Sequence, residues 1–133
     1  RLVGCTVDDL QADRMGIAAD FAKRHKLYVV LKGYRTLIVT PDEKVFVNPT
    51  GCPGMATGGT GDVLAGMIGA WLAQLLDAEA ACKLAVYLHG SAGELADADN
   101  GEVSMTAGDL VEHIGDAILE VTARRRVAAS KTE

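Results

Sequence analysis

The residues in this sequence that are best suited to binding or catalysis form a run of glycines that ends at a carboxylate. Residues 54–66 read GMATGGTGDVLAG, with five glycines and one acidic residue, Asp62. Glycine inside a helix costs about 1 kcal/mol relative to alanine, yet the apolar stretch 63–68 that follows predicts a buried helix. A helix N-terminus offers unpaired N–H groups and partial positive charge, and glycines let an anion approach the backbone. The residues predicted to form this phosphate cradle are Gly58, Gly59, Thr60 and Gly61.

Asp62 follows the cradle directly and has two interpretations. As a structural residue, it would complement the partial positive charge at the start of the helix. As a functional residue, it would lie beside the bound phosphate and act as a base on an incoming hydroxyl. A phosphate cradle next to a carboxylate is the minimum apparatus for phosphoryl transfer. No Gly-Lys-Ser or Gly-Lys-Thr follows, so the run is not a Walker-type loop.

The segments that precede the glycine run predict one helix and three strands. Apolar residues recur at helical spacing over 8–26, after a Thr6–Asp9 segment with the form of a capping box. The continuous apolar run 27–31 is typical of a strand covered on both faces, as in a parallel sheet. Strands are also predicted over 36–40 and 44–47, joined by a hairpin turn at Pro41-Asp42-Glu43.

Helical patterns dominate after the glycine run. The segment from Gly61 to about Leu76 is apolar nearly all round, which predicts a central helix. Asp77 is a candidate cap for a second helix, within which we expect His89 to be a buried structural residue. Thr106–Asp109 again has the form of a capping box before a third helix. The chain is therefore predicted to be α/β, with strands early and three or more helices late.

Composition and charge exclude several classes of protein. The 133 residues carry a formal net charge of −5, which argues against a broad affinity for nucleic acid. Three cysteines without C-x-x-C spacing predict neither a disulfide framework nor a zinc site, and indicate a cytoplasmic protein. The longest apolar run, 63–73, is too short to cross a bilayer. The chain begins at Arg1 and not at methionine, so we expect it to be part of a longer protein.

Three segments resemble the NAD(P)H-hydrate dehydratases, a branch of the ribokinase-like superfamily. They are the long stretch 48–66, the Lys-Gly-x-x-Thr element 32–36 and the segment 105–110. The resemblance implies a three-layer α/β/α fold with a mostly parallel sheet. It further implies that residues 1–133 are the C-terminal, nucleotide-binding half of one domain. The absent N-terminal half would contain a His-Pro-Gly-Glu-like loop and glycine-rich substrate contacts.

The resemblance also implies an activity, the repair of hydrated NADH or NADPH (NADHX or NADPHX). ADP or ATP, with Mg²⁺, would drive the dehydration: the ring hydroxyl is phosphorylated, and phosphate then leaves by elimination. Asp62 matches the family position that contacts the hydrated substrate and would be the catalytic base. Family members commonly form homo-oligomers. The residues that match the nucleotide site are Lys32, Gly33, Tyr34, Arg35, Thr36, Gly58, Gly59, Thr60 and Gly61.

Two other functions fit the same residues. A vitamin-type kinase of the same superfamily would use an identical cradle and aspartate on a stable alcohol. A non-catalytic nucleotide-binding fragment is the second alternative, because half of the domain is expected to be absent.

Cys52 departs from the family pattern, which usually has asparagine at that position, and this predicts the loss of a polar contact near the nucleotide.

Overall fold

Two helices, a small sheet and four further helices follow one another along the chain. The computed structural model describes residues 2–75 and 77–129. The helices are α1 (Val7–Ala12), α2 (Arg14–His25), α3 (Thr60–Leu75), α4 (Ala78–Asn100), α5 (Ala107–Glu112) and α6 (Ile114–Ala129). The strands are β1 (Val29–Leu31), β2 (Leu37–Val39) and β3 (Val45–Val47), and a short 3₁₀ helix covers Pro53–Ala56. The predicted order of early strands and late helices is confirmed.

The three strands form one sheet in the order β1-β2-β3, and both pairs are antiparallel. The β2–β3 hairpin is confirmed, with Ile38 opposite Phe46. The expectation of a mostly parallel sheet is wrong for the part of the chain that the structure describes. Residues 32–36 alone join β1 to β2, and a parallel crossover needs a dozen or more residues. The apolar character of β1, whose three residues are half-buried, therefore does not indicate strand direction.

Strand β2 lies between two separate apolar clusters. Leu37 and Val39 pack with Ala18 and Ala22 of α2. Ile38, which points to the opposite face of the sheet, belongs to the larger cluster contributed mainly by α3 to α6. All three β2 residues are almost fully buried. The sheet is thus covered by α2 on one face and by the later helices on the other.

The helix predicted over 8–26 is two helices, broken at Asp13. The Thr6–Asp9 capping box is present at the start of α1. Asp13 leaves helical geometry at φ −141° and ψ 67°, and its carboxylate accepts the Gly16 N–H at 2.9 Å, which caps α2. The apolar periodicity is similar on both sides of Asp13, so only the cap geometry shows where the chain turns.

The predicted starts of the last helices are confirmed. Asp77 caps α4 by accepting the N–H of Glu79 at 3.1 Å. Thr106 and Asp109 form the expected capping box of α5. The stripe that follows is interrupted at His113, where α5 ends and α6 begins, so one predicted helix is again two.

Helix α3 is not enclosed on all sides, contrary to the expectation from its all-round apolar sequence. Leu64 and Met67 are buried in the larger core cluster. Its opposite face is exposed and uncharged from residue 65 to residue 74, with small side chains at 65, 66, 69, 70 and 73. None of the described helices combines the length and the apolar character needed to cross a membrane.

Candidate functional site

A cavity of about 750 Å³ lies between the loop after β1, the segment before α3 and the middle of α4. This volume is within the range of small-molecule sites. Its side chains include the cations of Lys32 and Arg35, and none of the described residues that line it is an aspartate or glutamate. In a chain with a net charge of −5, such a lining favours an anionic ligand.

The first wall of the cavity is the loop 32–36 that joins β1 to β2. All five of its residues line the cavity. Gly33 has φ +129°, which side-chain-bearing residues rarely adopt, and Arg35 has φ +53°. The Thr36 hydroxyl closes the loop by donating to the Gly33 carbonyl at 3.1 Å. The Tyr34 ring is 84% exposed, and the Arg35 guanidinium carbon lies 5.5 Å from its centroid.

The second wall is the extended segment 48–52, which is tied to α4. Asn48 is buried and donates from Nδ2 to the carbonyl and to the hydroxyl of Thr50, at 2.9 and 3.0 Å. The Thr50 hydroxyl donates to the Tyr87 carbonyl at 2.9 Å, and the Gly51 N–H donates to Glu94 Oε1 at 2.9 Å. These bonds hold the segment close against Gly90, which also lines the cavity.

The start of α3 closes the cavity, and Thr60 and His89 anchor it. The buried Thr60 hydroxyl donates to the carbonyls of Met55 and Thr57, at 2.9 and 3.1 Å. His89 Nε2 lies 2.8 Å from the Thr60 carbonyl. Burial lowers the pKa of His89, and the Lys32 charge adds to this effect, while the bond to Thr60 opposes it. A neutral imidazole therefore donates to Thr60, as expected of a structural histidine.

Lys32 reaches the N-terminus of α3 although it comes from the sheet. A Cβ built on Gly61 would lie 3.7 Å from Lys32 Cε and closer still to Nζ. Two positive features therefore meet at one point, the ammonium and the partial charge of the helix N-terminus. Their repulsion is relieved by an anion between them, and a phosphate group has the charge and the acceptors for both.

The structure brings together most of the residues predicted from the sequence. The loop 32–36 and the pair Thr60 and Gly61 line one cavity. Gly58, Gly59 and Asp62 are not among its lining residues, and all three are exposed. Gly59 has φ +92° and starts the helix, since its carbonyl accepts the N–H of Asp62 at 3.0 Å. Asp62 therefore lies outside the lining of this cavity, in the first turn of the helix whose N-terminus the cavity meets.

Sequence reasoning missed Asn48, Thr50 and Gly90 as cavity-lining residues. Asn48 and Thr50 are polar residues at the end of a predicted strand, a position that often carries function. Gly90 belongs to a run of small residues on α4, which is a sign of close packing. Cys52 also lines the cavity, but its thiol lies 3.4 Å from the Gly93 carbonyl, and burial raises its pKa.

Comparisons with known proteins identify the family to which the chain is similar. A family model described as NAD(P)H-hydrate dehydratase matches residues 1–116. The bifunctional NAD(P)H-hydrate repair enzyme Nnr of Moorella thermoacetica is 46% identical over 114 residues, which are 86% of this chain and 22% of that protein. The ADP-dependent (S)-NAD(P)H-hydrate dehydratase of Neisseria meningitidis is 46% identical over 96 residues, 71% of this chain and 32% of that one.

A solved structure shares the fold. The ADP/ATP-dependent NAD(P)H-hydrate dehydratase of Bacillus subtilis, co-crystallised with ATP/Mg²⁺, superposes with a TM-score of 0.84 at 36% identity. The superposition covers 88% of this chain and 42% of that one. The chain thus spans less than half of the solved relative, and about a fifth to a third of the two curated relatives.

Proposed function

The chain belongs to the NAD(P)H-hydrate dehydratase family, and from this premise we propose that it supplies the nucleotide site and the catalytic base of such an enzyme. The intact protein would use ADP or ATP to dehydrate hydrated NADH or NADPH. The observation that carries the proposal is the composition and place of the cavity. Its described lining includes Lys32 and Arg35 but no aspartate or glutamate, and it reaches the N-terminus of α3 at Gly61, one residue before Asp62.

The phosphates of the nucleotide would bind where Lys32 approaches Gly61. The absence of a side chain on Gly61 leaves room for the ammonium beside the helix N-terminus. Thr60 fixes the start of the helix through its two hydroxyl contacts, so the N–H groups keep their direction. The loop 33–36 lines the remaining length of the cavity and would contact the rest of the nucleotide. Gly58 and Gly59 give the turn before the helix its shape and its access to solvent.

Asp62 would contact the hydrated nicotinamide ring from the exposed side of the same helix N-terminus. Its carboxylate would accept the proton of the ring hydroxyl as that oxygen takes the terminal phosphoryl group. The phosphorylated carbon then loses phosphate, which carries away the electrons of the C–O bond, while the adjacent ring carbon loses a proton. The net result is dehydration of the ring and hydrolysis of the nucleotide.

The described residues offer no dedicated magnesium site. In residues 2–75 and 77–129, no group of three or more histidine, cysteine or acidic side chains is arranged to hold a metal. Mg²⁺ commonly binds nucleotides through phosphate oxygens and water, with one or two carboxylates. We infer that the ion would accompany the nucleotide phosphates in this way.

The remainder of the domain would complete the active site. The exposed, uncharged face of α3 and the free edge of β1 are surfaces that a larger domain could cover. Parallel strands added beside β1 would produce the three-layer ribokinase-like fold, with these 133 residues as its C-terminal half. We place the whole protein in the cytoplasm as a homo-oligomer, without a nucleic-acid or membrane partner.

The decisive experiment is a coupled assay on the intact protein with hydrated NADH and ADP or ATP. We expect free phosphate to be released in step with the growth of NADH absorbance. Net phosphorylation of a stable vitamin-type alcohol, without NADH recovery, would instead support a kinase. Calorimetric binding of nucleotide with no turnover of any substrate would support a non-catalytic module.

The cradle itself predicts the effect of Gly61→Ala. The new Cβ would displace the Lys32 ammonium, which can swing into solvent, so the fold should be retained. Binding of ADP or ATP should weaken more than tenfold, a loss of about 1.4 kcal/mol or more. Calorimetry and thermal melts of the intact protein, with and without nucleotide, measure both effects.

Gly115→Ala is the matched control, because no heavy atom lies within 4 Å of a Cβ at that exposed position. A Gly61→Ala protein that melts early but keeps the full nucleotide-induced shift would show that the glycine serves packing alone. Gly59→Ala should behave in that second way, since φ +92° and the Ala107 Cβ at 3.0 Å strain any side chain there.

A further inference from the structure

The cavity loop is held from behind by a residue that does not line the cavity. Arg14, the first residue of α2, donates from Nη1 to the Tyr34 carbonyl at 2.7 Å. Its Nη2 donates to the carbonyls of Leu31 and Lys32, at 3.3 and 3.4 Å. One guanidinium thus contacts three carbonyls along the carboxyl end of β1 and the loop that follows.

The position of Arg14 is unfavourable for its own helix. A cation in the first turn opposes the partial positive charge of a helix N-terminus, and in α2 it is the Asp13 carboxylate, not Arg14, that caps this end. Among the described residues, the hydrogen-bond partners of the half-buried Arg14 are three carbonyls, one at the end of β1 and two in the loop. The choice of residue is therefore explained by the loop and not by α2.

The contacts with Arg14 determine which way the loop presents its backbone. In a trans peptide, a carbonyl and the N–H of the next residue point in opposite directions. The carbonyls of Lys32 and Tyr34 point towards Arg14. The N–H groups of the residues that follow them, Gly33 and Arg35, therefore point to the other side of the loop. Among the described residues, none accepts a hydrogen bond from either of these two amides.

The loop needs such support because its conformation is not intrinsically favourable. Gly33 at φ +129° and Arg35 at φ +53° lie in the left-handed half of conformational space. A Cβ on Gly33 would lie 3.4 Å from Arg14 Nη2, so the guanidinium packs against bare backbone. The planar fork of arginine can serve several carbonyls at once, whereas the single ammonium of lysine cannot reproduce that geometry.

We propose that Arg14 is a positioning residue for the nucleotide: it holds the loop 32–35 so that Lys32 reaches the start of α3 and the Gly33 and Arg35 amides face the ligand. This inference rests on the proposed function, because the ligand it positions is the nucleotide. Arg14 itself touches no substrate. Its effect should therefore fall on nucleotide binding and leave the hydrated dinucleotide unaffected.

The test uses the intact protein with Arg14→Met and Arg14→Lys, and with Arg24→Met as the control on the same helix. Arg24 is exposed and pairs with Asp20. We expect both Arg14 variants to raise the nucleotide KM and Kd by roughly tenfold or more. The kcat at saturating nucleotide and the KM for the hydrate should stay near the wild-type values. Arg24→Met should change none of these constants.

Several results would overturn the inference. A lysine variant with wild-type nucleotide affinity would show that charge, and not the fork, is what the site uses. A lower kcat at unchanged nucleotide KM, with early melting, would indicate a purely structural role. If the wild-type protein itself binds no ADP or ATP by calorimetry, the proposed function and this inference fail together; if it binds and Arg14→Met binds equally, the inference fails alone.

Hydrogen exchange on the wild-type protein gives a measurement that does not depend on a variant folding. Added ATP should protect the amides of Gly33 and Arg35, because both would then face a bound ligand. Unchanged exchange at these two amides in the presence of saturating ATP would contradict the proposal.

Discussion

Replacing Asp62 with asparagine in the intact protein is expected to abolish NADH recovery from the hydrate while nucleotide binding stays largely intact. Asparagine keeps the size of the side chain but cannot accept the hydroxyl proton, and loss of a general base typically costs 10²–10⁴-fold in rate, on the order of 3–5 kcal/mol. The cavity proposed to bind the nucleotide should be unaffected because Asp62 is not among its lining residues. NADH absorbance measures the turnover, and calorimetry with ADP or ATP measures the binding.

Asp116→Asn is the matched control for this experiment. Asp116 is an exposed acidic residue in the first turn of α6, so its replacement removes the same kind of helix-dipole contact without touching the site. Both variants should lose similar, small amounts of stability in thermal melts. Near-normal turnover by Asp62→Asn would remove Asp62 as the base and leave it with the dipole role alone.

Replacing Gly90 with alanine should destabilise the fold, and by more than the same replacement at Gly93, the other glycine of α4. A Cβ on Gly90 would lie 2.7 Å from the Thr50 backbone carbon and 2.8 Å from the Thr50 Cβ. Thr50 cannot move away easily, since its hydroxyl is bonded to the Tyr87 carbonyl and to Asn48. Overpacking of this kind costs about 1–3 kcal/mol, against about 1 kcal/mol gained in helix propensity.

Denaturant unfolding of the intact protein measures the change, and Gly115→Ala again provides the control. The control should be neutral or slightly stabilising, since a Cβ there meets nothing within 4 Å. The Gly90 variant should lose stability in spite of the favourable propensity term. Equal stability of the Gly90→Ala and wild-type proteins would show that α4 and the segment 48–52 are less tightly packed than the structure indicates.

Gly93 shows why Gly90 is the more informative position. The three atoms nearest to a Cβ on Gly93 all belong to the side chain of Met55, which is long and flexible and can move aside. At Gly90, the obstacle includes the backbone of Thr50 as well as its short, hydrogen-bonded side chain. Because Thr50 and Gly90 both line the cavity, any adjustment at Gly90 also displaces a wall of the proposed nucleotide site.

Features that depend on neighbouring residues were predictable from the sequence alone. Both capping boxes, the Asp77 cap and the β2–β3 hairpin are encoded within a few residues, and each is present as expected. The family was recognisable for a similar reason, because its longest motif is one continuous stretch from residue 48 to residue 66. Helix breaks at Asp13 and His113 were not predictable, since the apolar stripe continues through both positions.

The sequence by itself determined the chemistry available at the site: a glycine-rich helix start, a carboxylate in the first turn and a basic loop after a strand. The tertiary structure alone decided how these parts meet. It brought Lys32 to Gly61, placed Arg14 behind the loop and put Asp62 outside the cavity. The direction of β1 was likewise decided by its pairing with β2. Local backbone preferences act over one or two turns, whereas these contacts join distant segments that only the packing of helices on the sheet brings together.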